Sequence, residues 1–151
     1  MNKIKIYMDS CCLNRPYDDL STDMVQMEAE AIILIIDKCE SGAWTLYTSD
    51  VLFDEIDNIP NFIKKRNVLM LYQSAKNHID LTPEIVARAR ELETFNIKPY
   101  DALHLASAEI EHIDIFLTTD RKFLNAACRS DAKVRVMNPL IWITEVLYNG
   151  Y

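Results

Sequence analysis

Glycine is almost missing from this chain, at two residues in 151. With half of the residues apolar, so little glycine argues against disorder and low-complexity sequence. No repeat, linker or internal boundary interrupts the chain. Cysteine is sparse as well: Cys11, Cys12, Cys39 and Cys128 form no C-x-x-C pair, so the ligand spacing of a structural zinc site is lacking. Reduced, mostly buried thiols in a cytosolic protein are expected instead. Long apolar runs are absent. The most apolar stretch, residues 31–36, is far too short to cross a bilayer, and the first ten residues lack a signal-peptide core. A cytoplasmic protein without membrane contact is therefore expected. Positive charge is in deficit: 16 Lys and Arg against 23 Asp and Glu leave a net charge of −7. Such a surface holds nucleic acid poorly by phosphate neutralisation alone, unless basic patches or a bound metal overcome the average.

What is present is a regular alternation of strands and helices. Ile4, Ile6 and Met8 alternate with Lys3, Lys5 and Tyr7, predicting a strand that ends at Asp9. Residues 10–20 read as a loop. Ser21 or Thr22 caps a helix reaching about Glu40, with Gly42 as its stop. The apolar middle of that helix predicts burial on more than one side, or a subunit interface. Residues 44–48 form a second strand, and Ser49 caps a helix that buries Val51, Leu52 and Ile56 before Pro60 breaks it. A helix over 61–76, a short strand at 78–81 and a helix from Thr82-Pro83-Glu84 to about Phe95 follow. Pro99 opens the next helix. Residues 113–117 are a buried strand, 121–127 a helix, 133–137 a last strand and 140–148 a final helix. The pattern predicts one α/β domain over residues 1–151, its parallel sheet covered on both faces.

Acids mark the ends of these elements. Asp9 and Asp120 each follow a strand directly, and in a parallel sheet all such ends share one edge. Asp101 opens a helix. Glu55, or Asp50 or Asp54 beside it, comes from the helix after the second strand. Two carboxylates ~4 Å apart repel by about 4 kcal/mol at an effective dielectric near 20. A cluster of them is stable only when protonated or bound to metal. An all-oxygen donor set suits Mg²⁺ or Mn²⁺, ions that orient a water and stabilise a phosphoryl group in transfer. The bland roles are helix N-caps for Asp9 and Asp120, a dipole-favoured first-turn acid for Asp101 and a solvated helix acid for Glu55.

The strand ending in Asp9, the helix with Glu55, the segment YDALHLASA from Tyr100 and LTTDRKFL from Leu117 together resemble PIN domains, the metal-dependent nuclease family that includes VapC-type toxins. That resemblance implies a three-layer α/β/α sandwich around a mainly parallel sheet of about five strands. It implies Asp9, Glu55, Asp101 and Asp120 as the acids that bind one or two Mg²⁺ or Mn²⁺ ions and support hydrolysis of RNA phosphodiesters. Ser10 and Thr118 match the family's hydroxyl residues. An antitoxin partner and a homodimer are implied in the same way. An inactive PIN-like module that binds RNA or protein is the alternative reading. Beyond the motifs, Arg15, Arg121 and Lys122 are candidates for contacting the substrate, Arg15 with pairing to Asp18 or Asp19 as its other role. His104, one turn after Asp101, is expected to be a packed, hydrogen-bonded neighbour, and His78 and His112 surface residues. Trp44 and Trp142 are expected in the core.

Overall fold

The computed structural model describes residues 3–150. The ends of the predicted domain, residues 1–2 and 151, lie outside the described residues. Five strands form one sheet: β1 (Lys5–Met8), β2 (Thr45–Ser49), β3 (Asn77–Ile79), β4 (Ile115–Leu117) and β5 (Arg135–Met137). Their order is β3-β2-β1-β4-β5, and every pairing is parallel. The chain builds outward from β1 to β2 and β3, then crosses back to place β4 on the other side of β1. The topological switch point of this α/β sheet is the seam between β1 and β4.

Helices cover both faces. One core packs Ile6 and Met8 of β1 against α1 (Ser10–Asn14), α2 (Asp23–Glu40), α3 (Asp50–Asp57), α4 (Phe62–Tyr72) and α8 (Pro139–Tyr148). There the rings of Trp44 and Trp142 meet edge to face, 5.0 Å apart. The second core packs Tyr7 and Phe116 against α5 (Pro83–Glu93), α6 (Pro99–Ile110) and α7 (Arg121–Arg129). Thr22, Ser49, Asn61, Thr82 and Asn138 each cap a helix through the side chain, and Pro83, Pro99 and Pro139 stand at helix starts where no N–H donor is needed.

Two expectations change. Residues 10–20 are not simply a loop: α1 and a 3-10 turn (Arg15–Tyr17) fill the first half, because Asp9 caps the Cys12 N–H and Cys12 and Leu13 are buried. Tyr7 is fully buried, because the sheet is covered on both sides as expected. Helix α2 buries Ala31, Ile32, Ile35 and Ile36 but leaves Ile33 39% and Leu34 37% exposed, so within one chain it is covered on one side only. His78 lies at the surface as expected, and there it meets partners that the sequence does not show, Asp50, Thr48 and Tyr72.

Candidate metal centre

Asp9 follows β1 and Asp120 follows β4, the two strands that flank the switch point. Both are helix N-caps: Oδ1 of Asp9 accepts from the Cys12 N–H and Oδ1 of Asp120 from the Phe123 N–H. Capping occupies one oxygen and leaves the other for a second partner. Asp101 arrives at the same edge for a different reason. Just past the end of α6, the N–H of Asp114 donates to the carbonyl of Lys5 at the opposite edge of the sheet. The 12 residues of α6 span roughly 18 Å at 1.5 Å each, which carries its first turn up to the acidic edge. Glu55 comes from α3, whose start is set by β2 and the Ser49 cap.

The electrostatics show that these four acids share one neighbourhood. Burial, opposed by the Thr118 hydroxyl, His104 and the Cys12 N–H, pushes the Asp9 carboxyl up to about 6, and Glu55 adds to the push. Burial likewise pushes Asp101 up to about 6; His104 and Lys98 oppose it while Asp120 and Glu55 reinforce it. The Cys11 thiol is raised first by burial, then by Asp9, Asp120, Glu55 and Asp101 together. Glu55 goes the other way: burial raises it, but bonds from His104 and Ser10 outweigh that and hold it below the usual carboxylate range.

Behind Glu55 lies a buried hydrogen-bond chain. Ser49 Oγ meets Tyr7 Oη at 2.6 Å, Tyr7 Oη meets His104 Nδ1 at 2.5 Å, and His104 Nε2 meets Glu55 Oε1 at 3.0 Å. Ser49 and His104 are fully buried, as Tyr7 is, so each must find its partners inside the protein. His104 is thus the packed, bonded neighbour its position in the sequence predicts. Tyr7 and Ser49 carry no such signal; only their convergence from two strands reveals them. Tyr7→Phe is expected to cost about 1–2 kcal/mol, as two buried groups lose a partner. Chemical denaturation of the variant measures this, and a stability equal to wild type would show that the chain carries no such energy.

The remaining candidates divide. Ser10 bonds Glu55. Thr118 is completely buried, accepts from the Asp120 N–H and bonds Asp9, so it orients acids instead of facing solvent. Arg15 pairs with Asp18 at 3.1 Å, and its Nε lies 3.2 Å from Glu28 in an ion pair that lacks hydrogen-bond alignment. Arg121 and Lys122 are exposed at the start of α7, beside Asp120. Asp50 and Asp54 do not substitute for Glu55: Asp50 takes His78 and the Leu81 N–H, and Asp54 takes the hydroxyl of Tyr100.

Asp9, Asp101, Asp120 and Glu55 offer only oxygen, the donor chemistry of Mg²⁺ and Mn²⁺. Among the described residues, three ligand atoms within 4.8 Å of one another occur at Asp50, His78 and Asp80, a separate exposed trio beyond β2 and β3. The four acids therefore stand further apart than a closed cage. That openness fits an ion such as Mg²⁺, which keeps several waters and takes few carboxylates. The carboxyls of Asp9 and Asp101 are raised first by burial and then by neighbouring acids, a desolvated negative charge that a dication would relieve.

A wholly parallel, doubly covered sheet with carboxylates gathered at its switch point defines an α/β protein with an acidic site at the carboxyl edge of the strands. The sequence model of the PIN domain matches residues 6–127, which include all four acids. The chain belongs to the PIN domain family. Strand β5 and helix α8 lie beyond the matched span. No curated protein sequence matches the chain. Solved structures share the fold at low identity. A DNA-bound VapBC from Salmonella typhimurium aligns with a TM-score of 0.62 at 12% identity, over 90% of this chain and 98% of that one. VapBC2 from Rickettsia felis, bound to a fragment of its promoter DNA, gives 0.60 at 14% over 89% and 98%. A toxin–antitoxin complex from Klebsiella pneumoniae gives 0.56 at 18% over 89% and 97%.

Proposed function

We propose that the protein is a Mg²⁺- or Mn²⁺-dependent endoribonuclease, acting as the toxin of a toxin–antitoxin pair. The observation that carries this reading is the gathering of Asp9, Glu55, Asp101 and Asp120 from four elements at the seam between β1 and β4. Asp9, Asp101 and Asp120 would hold the ion, and Glu55 would hold it or orient the water. A bound dication supplies an activated water and charge stabilisation for in-line attack on a phosphodiester. Glu55, ionised because His104 and Ser10 bond it, is the group able to take a proton from that water. Arg121 and Lys122 are placed to neutralise phosphates of the substrate.

The antitoxin reading rests on the VapBC relatives and on exposed apolar side chains. Met24, Met27, Ile33 and Leu34 on α2, with Phe62, Ile63 and Met70 on α4, offer surface for a partner segment or a second copy. Among the described residues no helix is long and apolar enough to cross a membrane. The test is incubation with single-stranded RNA and millimolar Mn²⁺. Cleavage that disappears in EDTA is expected, together with a melting temperature that rises with Mn²⁺, since the ion binds only the folded chain. A melting curve indifferent to Mn²⁺ and intact RNA would instead favour a non-cutting interaction module.

A further inference from the structure

Helices α6 and α7 enclose a cleft of about 440 Å³ that opens beside the acids and is lined by Asp101, Asp120, Lys98, Lys122 and Arg129. All three cations are exposed, and among the described residues none of them is in an ion pair. The opposite flank of the acidic edge is different. There Arg15, Lys64 and Lys65 are spoken for by Asp18, Glu28 and Asp57 at 2.9–3.2 Å, and Arg66 beside them is the exposed cation outside any ion pair among the described residues. Lys98 is already within electrostatic reach of Asp101, which links the cleft to the site. Lys122 and Arg129 are seven residues apart on α7, so they share a helix face at a separation of roughly 10 Å. Buried Ala126 lies between them and adds no bulk to the floor.

We infer that the α6–α7 cleft is the track of the substrate strand: single-stranded RNA leaves the acids on this side, its phosphates held by Lys98, Lys122 and Arg129. The inference rests on the ribonuclease reading and extends it by giving the strand a direction across the molecule. Neutralised phosphates release counterions, so each contact contributes about 0.7 to the salt dependence of binding to a single strand. The smaller cavity of about 200 Å³ lined by Asp120, Arg121, Met24 and Ile141 also reaches Asp120, but Arg121 is the one cation in its lining, against three in the α6–α7 cleft.

The test is the affinity of a fluorescein-labelled RNA dodecamer of mixed sequence, measured in EDTA over a range of salt so that no cleavage disturbs the equilibrium. The triple variant Lys98→Gln, Lys122→Gln, Arg129→Gln is expected to bind at least about tenfold more weakly at low salt, with the slope of log affinity against log salt reduced by about 2. The double variant Lys64→Gln, Lys65→Gln is expected to stay within twofold of wild type. Near-ultraviolet circular dichroism of each variant establishes that the fold is intact. Wild-type protein that binds no RNA, a triple variant with wild-type affinity and slope, or an equal loss in the double variant overturns the inference. Cleavage in Mn²⁺ is scored separately. If wild type cuts RNA but the triple variant binds normally, the track is wrong and the nuclease stands. If binding depends on the cleft but nothing is cut, the track stands and the nuclease reading falls.

Discussion

Asp9→Asn is expected to melt several degrees above the wild-type protein when both are held in EDTA at neutral pH. The Asp9 side chain is almost wholly buried, and its carboxyl is pushed from 3.8 up to about 6. A raised carboxyl means that the folded chain holds its proton more tightly than the unfolded chain does. Stability therefore falls as pH rises from about 4 to about 6, and above that the folded state carries the full cost of the charge. The rise from 3.8 to about 6 is worth at most about 3 kcal/mol, at 1.36 kcal/mol for each tenfold change in proton affinity, and relaxation of the site lowers it. Asn keeps an oxygen for the Cys12 N–H and carries no charge. With about 2 kcal/mol realised, the melting temperature would rise by about 4–8 °C for a domain of this size. Saturating Mn²⁺ should reverse the order, since occupancy at 100 times the dissociation constant adds about 2.7 kcal/mol to wild type alone. Calorimetry with and without Mn²⁺ reads both halves. A variant less stable than wild type in EDTA would mean that Asp9 is a structural cap and little else.

Asp101→Asn is expected to lose Mn²⁺-dependent cleavage of single-stranded RNA while keeping its fold. Asp101 stands in the first turn of α6, where removal of an acid costs about 0.3–1 kcal/mol through the helix dipole. That loss is small beside the relief of a carboxylate that is first buried and then repelled by Asp120 and Glu55. The catalytic loss is larger. Metal-borne charge stabilisation is worth several kcal/mol, which at 1.36 kcal/mol per decade is about 10²–10³ in rate. At subsaturating Mn²⁺ the wild-type rate should also fall as pH drops below about 6, because protons then compete with the cation for Asp9 and Asp101. Full activity in Asp101→Asn, with a mock purification free of nuclease, would remove this residue from the site.

The legible parts of the chain were those with local chemistry. Thr22, Ser49 and Thr82 announce helix starts because a hydroxyl beside orphan N–H groups acts within one turn. The acids at Asp9 and Asp120 stand out because each directly follows an apolar run. Less legible was the segment after Asp9. Asn14, Arg15 and Pro16 look like loop, yet burial of Cys12 and Leu13 against the core makes a helix of it. His78 shows no partner in sequence, since Asp50 reaches it from another strand's end, 28 residues away. The chain from Ser49 through Tyr7 and His104 to Glu55 is illegible for the same reason.

Period, caps and acid placement belong to the sequence, because they depend on residues within a few positions of one another. They determined an α/β chain with carboxylates at the ends of β1 and β4. Tertiary structure decided that those two strands are neighbours, that α6 turns Asp101 toward them, and that Lys98, Lys122 and Arg129 stay free while Arg15, Lys64 and Lys65 are paired. Such matters depend on which helix covers which face of the sheet, a competition among contacts far apart in the chain that no local pattern records.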